Sequence, residues 1–227
     1  MSTTRALRPL PLALALLAAV IGAAVAVAVT AAPDALADGN RHAGKNAISK
    51  KELALRNDMR RLWEDHITWT RLAIISLTTD SPDTDATVGR LLQNQTDIGD
   101  AIKPFYGDAA GDELTRLLRD HIFIAADIIA AAKAGDAAAV ADGQARWRAN
   151  ADEIAAFLNA ANAREWKFRE MQEMLYEHLN LTTTEVVARL QGDWAADVAA
   201  YDRIHLQALE MADELSTGIV DQFPRRF

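Results

Sequence analysis

The chain contains no cysteine. This absence excludes disulfides, thiolate metal sites, thiol-based catalysis and attachment of a lipid to an N-terminal cysteine. Glycine and proline are also scarce, with 11 and 6 among 227 residues, whereas alanine is abundant. This balance favours helices over short strands and turns. Because half of the residues are hydrophobic, the sequence predicts a folded all-α protein with a sizeable core.

Basic residues are in short supply. Lysine and arginine number 24 against 32 aspartates and glutamates, which gives a formal net charge of -8. The sequence has no run of basic residues, and its aromatic residues are not interleaved with bases as in a stacking platform. Since binding of nucleic acid depends on positive charge, we expect no nucleic-acid partner. An anionic membrane surface is disfavoured for the same reason, and the sequence identifies no protein partner.

The N-terminal region resembles a secretory signal. Arg5 and Arg8 precede a Leu/Ala/Val-rich run over residues 10–32, and no further charged residue occurs before Asp34. A basic start followed by an apolar run is typical of a signal peptide. The run is also long enough to cross a bilayer as an uncleaved anchor, which needs about 20 residues. Either interpretation predicts that the rest of the chain lies outside the cytoplasm.

A cleavage site is predicted at the end of this region. The pattern Ala35-Leu36-Ala37 supplies the two small residues that a signal peptidase requires, so the mature chain is expected to begin at Asp38. Cleavage removes two arginines and one aspartate, which changes the formal charge from -8 to -9. We therefore divide the chain into a signal peptide or anchor (1–37), a polar linker (38–48) and a helical-bundle domain (49–227).

Helical periodicity runs through the domain. The capping-box sequence Ser49-Lys50-Lys51-Glu52 predicts the start of a first long helix that reaches about Leu77. Two short helical pieces around Leu91 and Ile98 are predicted to form a crossover. Later helices are separated by turn signals, and short turns join antiparallel neighbours. We expect an antiparallel up-down bundle of four to five long helices plus this short crossover, and no internal repeat is evident.

The turns between the later helices are predicted from three short motifs. Ala134-Gly135-Asp136 supplies a terminating glycine followed by an N-cap, which predicts a tight helical hairpin. The motif Asn162-Ala163-Arg164-Glu165 has the form of a second capping box and predicts the start of a helix. A last helix is expected after Gln191-Gly192-Asp193 and before Pro224.

Four of the five histidines occupy positions that helical spacing places on apolar stripes. They are His66, His121, His178 and His205. Each lies near the middle of its predicted helix. Because antiparallel helices of similar length bring their midpoints to one height, we expect the four imidazoles to form a single inward layer. The fifth histidine, His42, falls in the linker and receives no role.

Two carboxylates are predicted to join this layer. Glu185 lies seven residues after His178 on the same face, and Asp202 lies one turn before His205. Imidazole and carboxylate together suit a transition metal such as Zn, Fe, Cu or Mn. Haem held between two histidines is a less favoured cofactor. Alternatively, Thr182 to Glu185 forms a capping box after a helix break at Asn180, in which case Glu185 is a cap partner.

The sequence is compatible with three functions. The first is a metal-binding bundle whose ligands are the four histidines with the two carboxylates. The second is a non-catalytic structural or interaction module with hydrogen-bonded core histidines. The third is a haem-binding protein or a metal-dependent enzyme, whose catalytic residues the sequence does not identify. Nucleotide-binding and serine-hydrolase motifs do not stand out.

Several stretches of the chain resemble a family of secreted bacterial all-helical proteins without a settled activity. They are LWEDHITWTR, PFYG, the run from DHIFIAAD through AAKAGD to ANADEIAAFLNAAN, EMLYEHLNLTTTE and ALEMADELSTGIVDQF. The resemblance covers nearly all of the mature chain. It implies a secreted helical protein and implies no particular reaction, cofactor or catalytic residue.

Overall fold

The computed structural model describes residues 48–227, so the predicted signal segment, its cleavage site and His42 lie outside the described residues. Within residues 48–227 the regular structure consists of six α-helices, and no strand occurs. This confirms the all-α prediction. None of the described helices combines the length and apolar character needed to cross a membrane. The helices are α1 (Lys50–Thr79), α2 (Thr84–Tyr106), α3 (Asp108–Ala134), α4 (Ala137–Ala161), α5 (Phe168–Gln191) and α6 (Trp194–Gln222).

The six helices form a closed ring. Each packs beside the next in sequence, and α6 returns to pack against α1. Along this last seam Arg60 pairs with Asp213, and Arg71 pairs with Asp197 at 2.9 Å. Because the residue numbers rise on one helix as they fall on the other, the two helices are antiparallel. The alternation continues around the ring, so α1, α3 and α5 run in the same direction.

Local signals place several helix ends where they were predicted. The Ser49 hydroxyl accepts a hydrogen bond from the Glu52 backbone N–H at 3.1 Å, which caps the start of α1. Gly135 ends α3 in the left-handed region with φ 74°, which glycine adopts without strain. Asp136 then caps α4 by accepting from the Ala139 N–H at 3.0 Å. The predicted hairpin between these helices is confirmed.

The predicted short crossover is wrong, because residues 84–106 form one helix of 23 residues. Asn94 and Gln95 lie between the two pieces that were predicted. Both side chains are instead fully buried, each with 0% of its surface exposed. The polar residues therefore belong to the inward face of α2, and the described residues contain six long helices.

The predicted start of a helix at Asn162 is also wrong. α4 ends just before Asn162, and α5 begins at Phe168. The Asn162 amide instead donates to the Gly218 carbonyl at 2.9 Å and ties this turn to α6. Trp166 fills the space above Gly218, where an added Cβ would lie 2.1 Å from the indole nitrogen. The turn is therefore held by packing and by the hydrogen bond from its own Asn162 amide to a carbonyl on α6, and its sequence alone did not show this.

Candidate functional site

Three histidines meet inside the ring of helices. His66, His121 and His178 come from α1, α3 and α5 and expose only 3%, 5% and 4% of their surfaces. The centre of the His178 ring lies 5.8 Å from that of His66 and 6.2 Å from that of His121. The inward prediction is confirmed for these three residues, which we call the imidazole layer.

In each hairpin, Nδ1 of the imidazole contacts a side-chain amide on the following helix. In the α3–α4 hairpin, His121 Nδ1 lies 2.9 Å from the side-chain oxygen of Asn150. The Asn150 amide nitrogen donates at 3.0 Å to the carbonyl oxygen of Leu117, one turn before the histidine. One asparagine thus joins a side chain and a backbone group of the neighbouring helix, an arrangement we call an amide clip.

The other two hairpins repeat the amide clip. In α5–α6, Gln207 accepts from His178 Nδ1 at 3.1 Å and donates to the carbonyl of Met174 at 3.1 Å. In α1–α2, Asn94 donates at 3.0 Å to the carbonyl of Leu62, again one turn before the histidine. Here the neighbouring Gln95 contacts His66 Nδ1 at 3.2 Å through its amide nitrogen, whereas Asn150 and Gln207 contact their histidines through the amide oxygen. The bundle is therefore built from three corresponding hairpins, the first of which divides the clip between two residues.

This equivalence corrects the reading that the sequence has no internal repeat. The three stretches around the histidines are MRRLWEDHI (59–67), LTRLLRDHI (114–122) and MQEMLYEHL (171–179). Each has an apolar residue seven and four positions before the histidine and an acidic residue directly before it. The histidines lie 55 and 57 residues apart, which is the length of one hairpin. Few identical residues survive in the second helices, so the repeat is visible only once the histidines are aligned.

The amide clip fixes which ring nitrogen carries the proton. The side-chain oxygens of Asn150 and Gln207 can only accept, because their amide nitrogens donate to backbone carbonyls. The proton of His121 and of His178 therefore lies on Nδ1, and Nε2 carries a lone pair. The two nitrogens point in nearly opposite directions from the ring centre. Because Nδ1 is directed to the following helix, Nε2 faces away from that helix.

The three imidazoles are neutral at ordinary pH. Burial, together with a smaller effect of the nearby His178, lowers the pKa of His121 to about 3. Burial also lowers the pKa of His178, and it lowers the pKa of His66 well below its usual range, with the other two rings adding to the effect. A proton on any ring would place a charge in an apolar interior beside two other imidazoles.

The structure does not bring His205 and Asp202 into the layer, so the prediction that they face inward is wrong. The His205 side chain is 36% exposed, and its Nε2 lies 3.3 Å from Glu64 on α1. Asp202 is exposed. The inward face of α6 runs through Ile204 and Gln207, one position away from the stripe that the sequence suggested. The inward residue at this height is therefore the glutamine of the amide clip.

Glu185 is buried but belongs to a different group. The alternative in which the helix breaks before it is wrong, because α5 is continuous over Phe168–Gln191. Its carboxylate accepts from Arg71 at 2.6 Å, and Arg71 also binds Asp197 at 2.9 Å. Arg189 binds the other oxygen of Asp197 at 2.9 Å. This four-residue ionic cluster joins α1, α5 and α6.

Burial has a strong effect on the Glu185 carboxyl group. It raises the pKa of Glu185 to about 7, although Arg71 beside it acts in the opposite direction. The neighbouring charge of Asp197 adds to the increase. Glu185 is therefore a group that gains or loses its charge near neutral pH, while its position is fixed by the arginine.

The amide clip leads to a stability prediction. Replacing Asn150 by leucine keeps the volume and leaves both His121 Nδ1 and the Leu117 carbonyl without their partner. Each buried group left unpaired costs about 1–3 kcal/mol, which is about 2–6 kcal/mol for two groups. Because the Leu117 carbonyl keeps its hydrogen bond within α3, Asn150→Leu is expected to lower the free energy of unfolding by about 2–4 kcal/mol, the lower part of this range. Urea denaturation measures this. Gln93→Leu is the matched control on an exposed position of α2, and an equally small change in both variants would contradict the role of the clip.

In this structure the imidazole layer does not have the geometry of a metal centre. Within residues 48–227, no group of three or more histidine, cysteine, aspartate or glutamate side chains is arranged to hold an ion. What the layer offers is three neutral imidazoles from three helices, two of which have Nε2 as the unprotonated nitrogen. Comparison with known proteins adds no family to this description, since no family model, curated protein or solved structure matches the chain.

Proposed function

We propose that the protein is an extracytoplasmic helical bundle that binds a transition-metal ion through His66, His121 and His178. The observation that carries the proposal is the amide clip, which one residue makes in each of two hairpins and which Asn94 and Gln95 share in the third. In metal centres the second nitrogen of a ligating imidazole is held by a hydrogen-bonding partner, which orients the ring and fixes its tautomer. Here all three Nδ1 atoms have such a partner, and for His121 and His178 the partner is an accepting oxygen that leaves the lone pair on Nε2.

The donors restrict the choice of ion. Three imidazoles suit Zn or Cu, whereas Mn prefers oxygen ligands, and neither Glu185 nor Asp202 lies in the layer. Around one zinc ion, with Zn–N distances of about 2.0–2.1 Å, imidazole centres lie roughly 5 Å apart. The observed separations of 5.8 and 6.2 Å require the rings to move together by about an ångström on binding. A haem needs far more room than the pockets of ≈ 30 and ≈ 40 Å³ beside the layer provide.

The location outside the cytoplasm is part of the same proposal. It is supported by Arg5 and Arg8 before an apolar run and by the small residues at 35 and 37. The absence of cysteine agrees with a protein whose stability comes from packing alone. Intact mass of the protein recovered outside the cytoplasm tests the start at Asp38, and a full-length mass in the membrane fraction would show an anchor instead.

A bound ion is expected to raise the melting temperature. An ion that binds only the folded state adds about 2.7 kcal/mol of stability at a concentration one hundred times its dissociation constant. The purified protein is stripped with a chelator and melted with and without Zn²⁺ or Cu²⁺. The increase should be saturable, reversed by chelator, and largely lost in His66→Ala, His121→Ala and His178→Ala. His205→Ala should retain it, because this side chain lies at the surface.

The second candidate is a structural or interaction module, and the amide clip also favours it. Each clip satisfies buried polar groups and fixes the register of one hairpin, which is useful without any ligand. In this case the histidine variants lower the melting temperature by the same amount with and without ions. A wild-type melting curve that neither ion nor chelator moves would decide in favour of this module.

A further inference from the structure

A pocket lies directly beyond the imidazole layer. Its volume is ≈ 40 Å³, and the atoms that face it are apolar. Thr70, Ala125 and Thr182 contribute to its wall, and each lies four residues after one of the three histidines. The next turn contributes Ile74, Ile129 and Val186, which lie eight residues after the same histidines. The pocket therefore lies between α1, α3 and α5, one helical turn from the layer.

The repeat explains why this space is open. The residues three positions before the histidines are the large side chains Trp63, Leu118 and Leu175. On the other side of the layer, four positions after the histidines, the corresponding residues are Thr70, Ala125 and Thr182. Leucine at any of these positions would reach into the pocket. Three small residues at equivalent places in three hairpins leave a space beside the buried imidazoles.

We infer that this pocket binds one small apolar molecule, of the size of dioxygen or carbon monoxide, beside the imidazole layer. Apolar cavities in proteins stay dry and accept apolar guests such as xenon. A volume of ≈ 40 Å³ is enough for a single xenon atom or a diatomic molecule and too small for an organic ligand. Trp147 lines the pocket and also contacts His121, with ring centres 5.1 Å apart, so a guest here touches the wall of the layer.

Xenon is the probe, since its binding needs no metal and does not depend on the proposed function. Carbon-13 NMR spectra of the methyl groups are recorded on the purified apoprotein under increasing xenon pressure. The methyl signals of Ile74, Ile129 and Val186 should shift and saturate together. Carbon monoxide should compete with xenon for the same site and reduce the shift. Xenon in the pocket of ≈ 30 Å³ on the other side of the layer would instead shift Leu118 and Leu175.

Filling the pocket tests whether the shifts arise there. Ala125→Leu should abolish the saturable shifts, and Ala130→Leu, on an exposed position of the same helix, should retain them. If Ala125→Leu does not fold, Thr182→Ile fills the same space from α5. The inference would be overturned if the wild type shows no saturable shift. It would also be overturned if the shifts persist in a folded variant whose pocket has been filled. Failure of metal binding would leave the xenon result unchanged, so the two proposals fail separately.

Discussion

The free energy of unfolding is expected to fall by roughly 2–3 kcal/mol for each pH unit between about pH 6 and 4.5. The cause is the imidazole layer. Each histidine has a lowered pKa in the folded state and an unfolded value near 6.5. Below pH 6.5 the unfolded chain takes up protons that the folded chain does not, and this favours unfolding. One such group costs about 1.4 kcal/mol per pH unit, so three cost up to about 4.

Glu185 offsets part of this loss. Its pKa is raised to about 7 in the folded state, above the unfolded value of a glutamate near 4.5. Between these two values the folded protein holds a proton that the unfolded chain releases. This contribution to stability is complete below pH 4.5 and is lost as the pH rises through 7. Over the window from pH 6 to 4.5 it cancels about one of the three histidines, which leaves a net slope of at most about two protons.

Urea denaturation at a series of pH values measures the slope. His121→Gln should reduce it by about one proton, or about 1.4 kcal/mol per pH unit. Leu117→Ala is the matched control, because it removes buried volume one turn away and no titratable group. It should lower the free energy of unfolding at every pH without changing the slope. A wild-type free energy of unfolding that rises as the pH falls through this window would show that Glu185 acts alone, and that the histidines titrate normally and are not buried together.

Removing Arg71 is expected to cost about 3 kcal/mol of stability at pH 8, because it leaves buried carboxylates without their partner. The side chains of Glu185 and Asp197 are 2% and 1% exposed, and Arg71 binds both. Breaking a buried ion pair by removing one partner typically costs about 3–5 kcal/mol. We expect the lower end of this range, since Arg189 still binds Asp197. Arg71→Met keeps most of the volume and removes the charge.

The pH dependence of this variant distinguishes charge from packing. At pH 5.5 the loss caused by Arg71→Met should be smaller than at pH 8, because Glu185 can then take up a proton and become neutral. The double variant Arg71→Met/Glu185→Gln should recover part of the loss at pH 8 for the same reason. Arg116→Met, at an exposed ion pair on α3, is the control and should change little. An equal loss for Arg71→Met at both pH values would indicate lost packing alone.

The helices and three of the four inward histidines could be predicted from local patterns. Capping residues such as Ser49 and Asp136 have chemistry that acts within three residues, so the sequence is sufficient to place them. His66, His121 and His178 lie on long apolar stripes whose phase is well defined. On α6 the apolar stripe is ambiguous, because the apolar residues Val198 and Leu206 are 51% and 63% exposed. The predicted inward face of α6 was therefore shifted by one position and included His205.

The partners of the histidines could not be predicted in the same way. Asn94, Asn150 and Gln207 are amides that local patterns assign to solvent, and each is buried by a contact with another helix. Their role depends on a carbonyl some thirty residues away in sequence. The repeated motif was the available signal, since aligning the three histidines also aligns Asn150 with Gln207, 29 residues after their histidines. Gln95 stands at the same spacing from His66, and its neighbour Asn94 makes the bond to the backbone carbonyl.

The most direct test is a nitrogen-15 NMR spectrum of the histidine rings at neutral pH, recorded before and after addition of Zn²⁺. We expect His66, His121 and His178 to be neutral, with the proton of His121 and of His178 on Nδ1. On addition of one equivalent of Zn²⁺ the Nε2 signals of all three should shift together, while His205 should not respond. A proton on Nε2 of His121 or His178, or three rings that ignore the ion, would contradict a metal centre built on amide-clipped imidazoles.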